Sequence, residues 1–253
     1  MKVIFTCGGT AGHVNPALAL AGYMRKKDPT VEVLFVGTPE GIERDLVAQA
    51  GYDYRGIAVG SLERSVSWEA IRHNCKSAWE MLALRRKTGA ILKEFPADLV
   101  VGTGGYASYP MVKYAALRGI PTAVHEANMI PGLTTKMLEK HASRIMVGFE
   151  ECRALYKHPE RIAVTGTPVR GDFFDLTHEE AKAALGMGKD EPLVVSFWGS
   201  LGASTMNRQM LDFFKKEKED GYPFYHIHAV GGRGWETMQQ EMQKAGLPGS
   251  HKL

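Results

Sequence analysis

The chain has 253 residues, 44% hydrophobic and 23% charged, the composition of a soluble globular protein with room for one large or two modest domains. Its net charge of +3 and pI of about 8.6 are too mild to call for nucleic acid, although local basic patches can still meet an anionic surface. Cys7, Cys75 and Cys152 are scattered without CxxC spacing, which speaks against a disulfide framework or zinc site and fits a reducing cytoplasm.

The chain opens with a short apolar run, Val3 to Phe5, then Gly8, Gly9, Thr10, Ala11 and Gly12, then an apolar-rich stretch through Leu18, Leu20 and Met24. That reads as strand, glycine turn, helix. No leader of the charged-then-apolar kind precedes it. Strands are expected at 31–36, 54–59, 98–101, 121–125, 145–147 and 162–164. Helices are expected at 41–50, 67–94, 108–117 and 134–140. Gly166, Thr167, Pro168 and Gly171 mark a break, after which the pattern restarts. Helix 179–185, strand 193–197, a helix running to about Lys218, strand 225–230 and helix 235–245 complete it. Alternating strands and helices imply βαβ units and a parallel sheet. No stretch approaches the ~18 apolar residues of a membrane span.

Glycine turns follow three of the strands: Gly8 to Gly12, Gly102 to Gly105, and Gly199 to Gly202. Such turns let backbone approach a ligand closely, and the helix that follows aims its free N–H groups at it, which suits phosphate. The spacing is not GxGxxG, so the dinucleotide fingerprint does not apply. Any one of these turns could equally be an ordinary tight connection.

Five motifs occur in order: GGTAGHVNPALALA (Gly8 to Ala21), VVGTGGYASYP (Val100 to Pro110), GIPTAVHEANMIPGLTTK (Gly119 to Lys136), GTPVR (Gly166 to Arg170) and GSLGA (Gly199 to Ala203). Together they closely resemble the MurG family of glycosyltransferases (family 28), from Met1 to about the end of the chain. The resemblance implies an α/β fold of GT-B type. A Rossmann-like parallel-sheet domain at 1–165 would bind a lipid-linked acceptor. A second, incomplete Rossmann-like domain at 166–253 would bind the nucleotide sugar. The implied reaction moves N-acetylglucosamine from UDP-GlcNAc to the C4 hydroxyl of undecaprenyl-diphosphate-linked muramyl-pentapeptide, giving lipid II for peptidoglycan. It would proceed with inversion and without metal or cofactor, at the cytoplasmic face of the bacterial plasma membrane.

Carried over motif by motif, Gly8, Gly9, Thr10, Gly12, Gly104, Gly105, Tyr106 and Asn128 would bind the acceptor. His13 would take the proton from the attacking hydroxyl, work suited to imidazole near neutral pH. Glu126 would orient the acceptor. Thr10, Gly12, Asn128, Arg170 and Ser200 would contact the UDP-GlcNAc donor, with Arg170 neutralising the departing phosphates. Read without the resemblance, His13 caps its turn, Glu126 is an N-cap or ion-pair partner, Tyr106 is packing, and Arg170 and Ser200 furnish a linker and a turn. In segment 67–87, Trp68, Ile71, Cys75, Trp79 and Leu82 share one helical face with Arg72, Lys76, Arg85, Arg86 and Lys87 around them. Such a helix either lies on an anionic membrane or packs on the sheet with a solvated face.

Two departures stand out. Trp198 occupies a position where the family usually has glycine, and the family's downstream segment with the acidic ribose contact is not in this sequence. Weak, base-indifferent donor binding and no transfer by this chain alone are therefore expected. The rival readings are an acceptor-binding half served by a donor domain in trans, and a sugar-nucleotide epimerase of the same architecture.

Overall fold

A computed structural model of the chain describes residues 1–58, 83–199, 203–231 and 234–247. It divides into two compact units, Met1–Phe173 and Phe174–Leu253. The first holds seven parallel strands: β1 (Lys2–Thr6), β2 (Glu32–Gly37), β3 (Asp53–Gly56), β4 (Leu99–Gly102), β5 (Thr122–Glu126), β6 (Arg144–Val147) and β7 (Ile162–Val164). Their spatial order is β3-β2-β1-β4-β5-β6-β7. The helices are α1 (Ala11–Lys27), α2 (Ile42–Gln49), α3 (residues 83–94), α4 (Ser108–Ala116) and α5 (Leu133–Leu138). This is a doubly wound Rossmann-like sheet, as the alternating pattern predicts.

The strands read as unbroken apolar runs because both faces are covered. On one face Val3, Phe5, Val33 and Phe35 pack with Val14, Ala17, Leu18 and Ala21 of α1 and Val47 of α2. On the other, Ile4, Leu34, Val100, Val124 and Ile145 pack with Ile91 and Leu92 of α3, Met111 and Val112 of α4, and Leu138 of α5. Phe5 faces Phe35 across the β1–β2 ladder, their rings stacked 5.4 Å apart. Burying each such ring is worth ~1.5–3 kcal/mol. β1 also pairs with β4, Phe5 opposite Val101. The order reverses between β1 and β4, and a crevice opens at such a reversal beyond the carboxyl ends of the strands.

The second unit contains α6 (His178–Ala184), β8 (Leu193–Phe197), α7 (Ser204–Glu219), β9 (Tyr225–Ala229) and α8 (Trp235–Lys244), with β8 and β9 paired in parallel. Thr177 and Glu180 form a capping box that starts α6. Leu211 and Phe214 of α7 and Met238 and Met242 of α8 make its small apolar core. Beside that core runs a polar chain. His226 Nδ1 lies 2.6 Å from Glu217 Oε1, and Ser196 Oγ lies 2.8 Å from both His226 Nε2 and His228 Nδ1. His228 Nε2 is 3.2 Å from Asn207 Oδ1, and Asn207 Nδ2 donates to the Val230 carbonyl at 2.9 Å. Among the described residues no helix is long and apolar enough to cross a membrane.

Candidate functional site

The turns after β1 and β4 flank the switch point and touch each other. Gly9, Gly104 and Gly105 all take positive φ, +87°, +113° and +78°, which β-carbon-bearing residues rarely adopt. A Cβ on Gly105 would overlap the Gly8 carbonyl, and one on Gly104 would overlap the His13 ring. The glycines let two loops and an imidazole share one small volume.

His13 lies in the first turn of α1, half-buried. Its Nδ1 is 2.8 Å from the Gly8 carbonyl and 3.3 Å from Thr10 Oγ1. A carbonyl only accepts, so Nδ1 carries a proton, and in the neutral ring the lone pair is on Nε2. Thr103 Oγ1 donates to the His13 carbonyl at 2.6 Å, tying α1 to the end of β4. Among the described residues no side chain caps α1, and its first turn holds no acid. Thr10 and Gly12 are exposed there. Tyr106 is exposed at the second turn, just before α4.

Glu43, which sequence reasoning passed over, lies fully buried beneath the first turn. Its Oε1 accepts from the Thr38 amide (2.9 Å) and hydroxyl (2.6 Å), and its Oε2 from the Gly9 amide (3.3 Å). Burial pushes this carboxyl up, but the hydrogen bonds from Thr38, from its own amide and from Gly9 outweigh that and hold it below the usual range. Burial, and then the Glu43 charge, push the neighbouring Cys7 thiol up to about 12. The available signal was topological: β2 is next to β1, so the loop after it must abut Gly8 and Gly9.

Glu126 ends β5, and its carboxylate turns back on its own loop. Oε1 accepts from the Asn128 amide (3.1 Å) and side-chain NH₂ (2.8 Å). Oε2 accepts from the Gly132 amide and the Thr135 hydroxyl, both at 2.8 Å. The pair Glu126 and Asn128 therefore builds the 127–135 loop, with Asn128 exposed on it. Preceding it, buried His125 donates from Nε2 to the Gly166 carbonyl at 3.1 Å, and burial lowers its pKa.

Arg170 sits in a cavity of about 490 Å³ beside Asn15 and Leu18 of α1, Gln49 of α2 and Tyr52. It approaches Asp172 at 3.7 Å and lies over the Phe173 ring. Trp198 follows β8, its buried Nε1 without a partner among the described residues. Ser200 lies outside the described residues, as do residues 67–82 of the basic amphipathic segment. Arg85, Arg86 and Lys87 fall on α3, exposed, with Arg85 over the Tyr114 ring.

A doubly wound parallel sheet with paired glycine turns and an oriented imidazole at its switch point belongs to the Rossmann-like class of domains from which GT-B glycosyltransferases are built. More narrowly, the chain belongs to glycosyltransferase family 28, whose N-terminal domain matches residues 3–147. It is 38% identical over 98% of its length to the UDP-N-acetylglucosamine–N-acetylmuramyl-(pentapeptide) pyrophosphoryl-undecaprenol N-acetylglucosamine transferase of Acetivibrio thermocellus, covering 66% of that protein. To the protein of the same name from Alkaliphilus oremlandii it is 35% identical over 100% of its length, covering 68%. The crystal structure of MurG from Acinetobacter baumannii superposes with a TM-score of 0.61 at 23% identity, over 95% of this chain and 63% of that one. The chain spans about two thirds of the length of such relatives.

Proposed function

We propose that the chain works in the transfer of N-acetylglucosamine from UDP-GlcNAc to undecaprenyl-diphosphate-linked muramyl-pentapeptide, with residues 1–165 receiving the acceptor and residues from 166 onward the donor. The reading is carried by the His13 imidazole, held by Nδ1 where two glycine turns meet, with no hydrogen bond to Nε2 among the described residues. In this reaction the acceptor C4 hydroxyl gives its proton to His13 Nε2 while its oxygen bonds to the sugar's anomeric carbon. The bond from that carbon to the phosphate oxygen breaks, and UDP leaves with the electron pair. One displacement inverts the anomeric centre and needs no covalent enzyme intermediate.

Gly8, Gly9, Gly104, Gly105 and Tyr106 line the acceptor side in this scheme. Thr10 and Gly12, at the open end of α1, serve the boundary between acceptor and donor. Glu126 shapes the loop that presents Asn128 to the sugars, and Arg170 and Ser200 offset the charge of the departing UDP. A lipid-borne acceptor implies a peripheral protein working at an anionic membrane surface on the cytoplasmic face.

Incubating the purified chain with UDP-GlcNAc and a short-chain lipid I analogue, followed by mass spectrometry of the lipid, tests this. Saturable binding of the analogue supports the acceptor side, and a disaccharide product would show that this chain also supplies enough of the donor side, against the expectation of no transfer by the chain alone. His13→Ala should then slow product formation ~10²–10⁴-fold, the usual contribution of a positioned base, with donor binding nearly intact. An analogue that does not bind, or a rate indifferent to His13→Ala, overturns the assignment.

A further inference from the structure

One peptide group in the cleft is held at both ends. The Gly9 N–H donates to Glu43 Oε2 at 3.3 Å, and the carbonyl of the same peptide, that of Gly8, accepts from His13 Nδ1 at 2.8 Å. On its other side Glu43 Oε1 takes two donors from Thr38 at 2.9 and 2.6 Å. In each of these three hydrogen bonds the carboxylate is the acceptor. It is fully buried, in surroundings of low dielectric where hydrogen bonds in series strengthen one another. Gly8 is pressed between the two groups: a Cβ there would come within 2.9 Å of Glu43 Oε1.

We propose that Glu43 is a positioning residue for His13 that acts through the Gly8–Gly9 peptide. It does for this imidazole what the carboxylate of a Ser-His-Asp triad does for its own, with an amide interposed. The peptide is conjugated, so a negative group on its N–H makes its carbonyl a better acceptor. A better acceptor at Gly8 holds the proton on Nδ1 and leaves the Nε2 lone pair facing the cleft. Thr10 Oγ1, at 3.3 Å from Nδ1, can donate or accept and cannot settle the tautomer by itself. The same contact removes the Gly9 N–H from ligand binding and puts negative charge under the first turn. That turn therefore suits sugar hydroxyls, and the acceptor diphosphate is directed to the second turn and the start of α4. The catalytic part of this rests on His13 being the base.

The test reads the imidazole directly. Nitrogen-15 NMR of the histidine-labelled chain, with the His13 signals identified by their loss in His13→Ala, gives the ratio of the two neutral tautomers. Wild type should be mainly Nδ1–H. E43Q keeps an oxygen for Thr38 and turns its NH₂ toward Gly9, releasing that peptide. The population should then move several-fold toward the Nε2–H form. Thr38→Val removes a donor from the opposite oxygen and is the structural control: it should lower the melting temperature and leave the tautomer in place. Glu43→Asp, which keeps the charge but shortens the reach, gives the same readout should E43Q not fold. A folded E43Q with an unchanged ratio overturns the proposal, and so does a Thr38→Val that moves the ratio equally. Where transfer is measured, E43Q should lower kcat by part of the ~10²–10⁴-fold a positioned base contributes and leave the acceptor KM in place. The tautomer answers for Glu43 whether or not the chain transfers sugar, so an acceptor analogue that fails to bind counts against the proposed function alone.

Discussion

His13 owes its orientation to what its neighbours lack. Gly104, at φ +113°, has no side chain where the imidazole lies, and the ring fills the space a Cβ would take. Gly104→Ala is therefore expected to cost ~1–3 kcal/mol in backbone strain and to push the imidazole off the Gly8 carbonyl. A lowered melting temperature together with loss of the Nδ1–H tautomer would show both effects. A variant that keeps the wild-type tautomer would mean the ring has room elsewhere. That Gly8, Gly9, Gly104 and His13 fall in strand-to-helix turns was legible in the sequence, because apolar runs end just before those glycines. Glu43 was not. Its contact with Gly9 spans 34 positions, and nothing in the order of residues says that Glu43 turns inward while Glu40 does not.

At the scale of elements, apolar runs located every described strand of both sheets within a residue or two, β3 excepted, which stops short at Gly56. A doubly covered sheet allows that because each strand must be apolar on both faces. The 127–135 loop is another matter. The family resemblance implies that Glu126 orients an acceptor, with an N-cap or ion-pair partner as the alternative. In the structure its carboxylate accepts four hydrogen bonds from its own loop, the Gly132 amide at the start of α5 included. Glu126→Ala would strand those donors, and hydrogen bonds to a charged group are worth ~1.5–3 kcal/mol each. We expect a loss of several kcal/mol, with amide exchange accelerated across 127–135. Unchanged protection of the Gly132 amide would show that water replaces the carboxylate.

For the molecule as a whole, acid should act in stages. Burial lowers the pKa of His125 in the first unit and His228 in the second below the ordinary 6.5. Each binds protons more readily unfolded, so its share of stability is complete above pH ~6.5 and declines as pH falls below it. The Glu43 carboxyl is also held low, but from the carboxylate range. Its share is complete above pH ~4.3, the value of the unfolded side chain, and is lost as pH drops through the folded one. Calorimetry across pH 3–8 should show melting temperatures level above neutrality, easing below pH ~6.5 and falling again in the acid range. E43Q should show a shallower last fall, because Asp28, Glu150, Glu180 and Glu241 are held low as well, and an acid limb identical in E43Q would assign that fall to those other carboxyls.

The polar chain of the second unit has a direction. The Val230 carbonyl can only accept, so the Asn207 amide must turn its NH₂ there and its oxygen to His228. His228 must then donate from Nε2 and accept at Nδ1, which draws the single Ser196 proton toward it. The Ser196 oxygen is left to accept from His226 Nε2, whose Nδ1 lies against Glu217. Each link settles the next, as falling dominoes do. A backbone carbonyl at one end thus settles which group donates and which accepts as far as His226, sheet and helix folded into one relay.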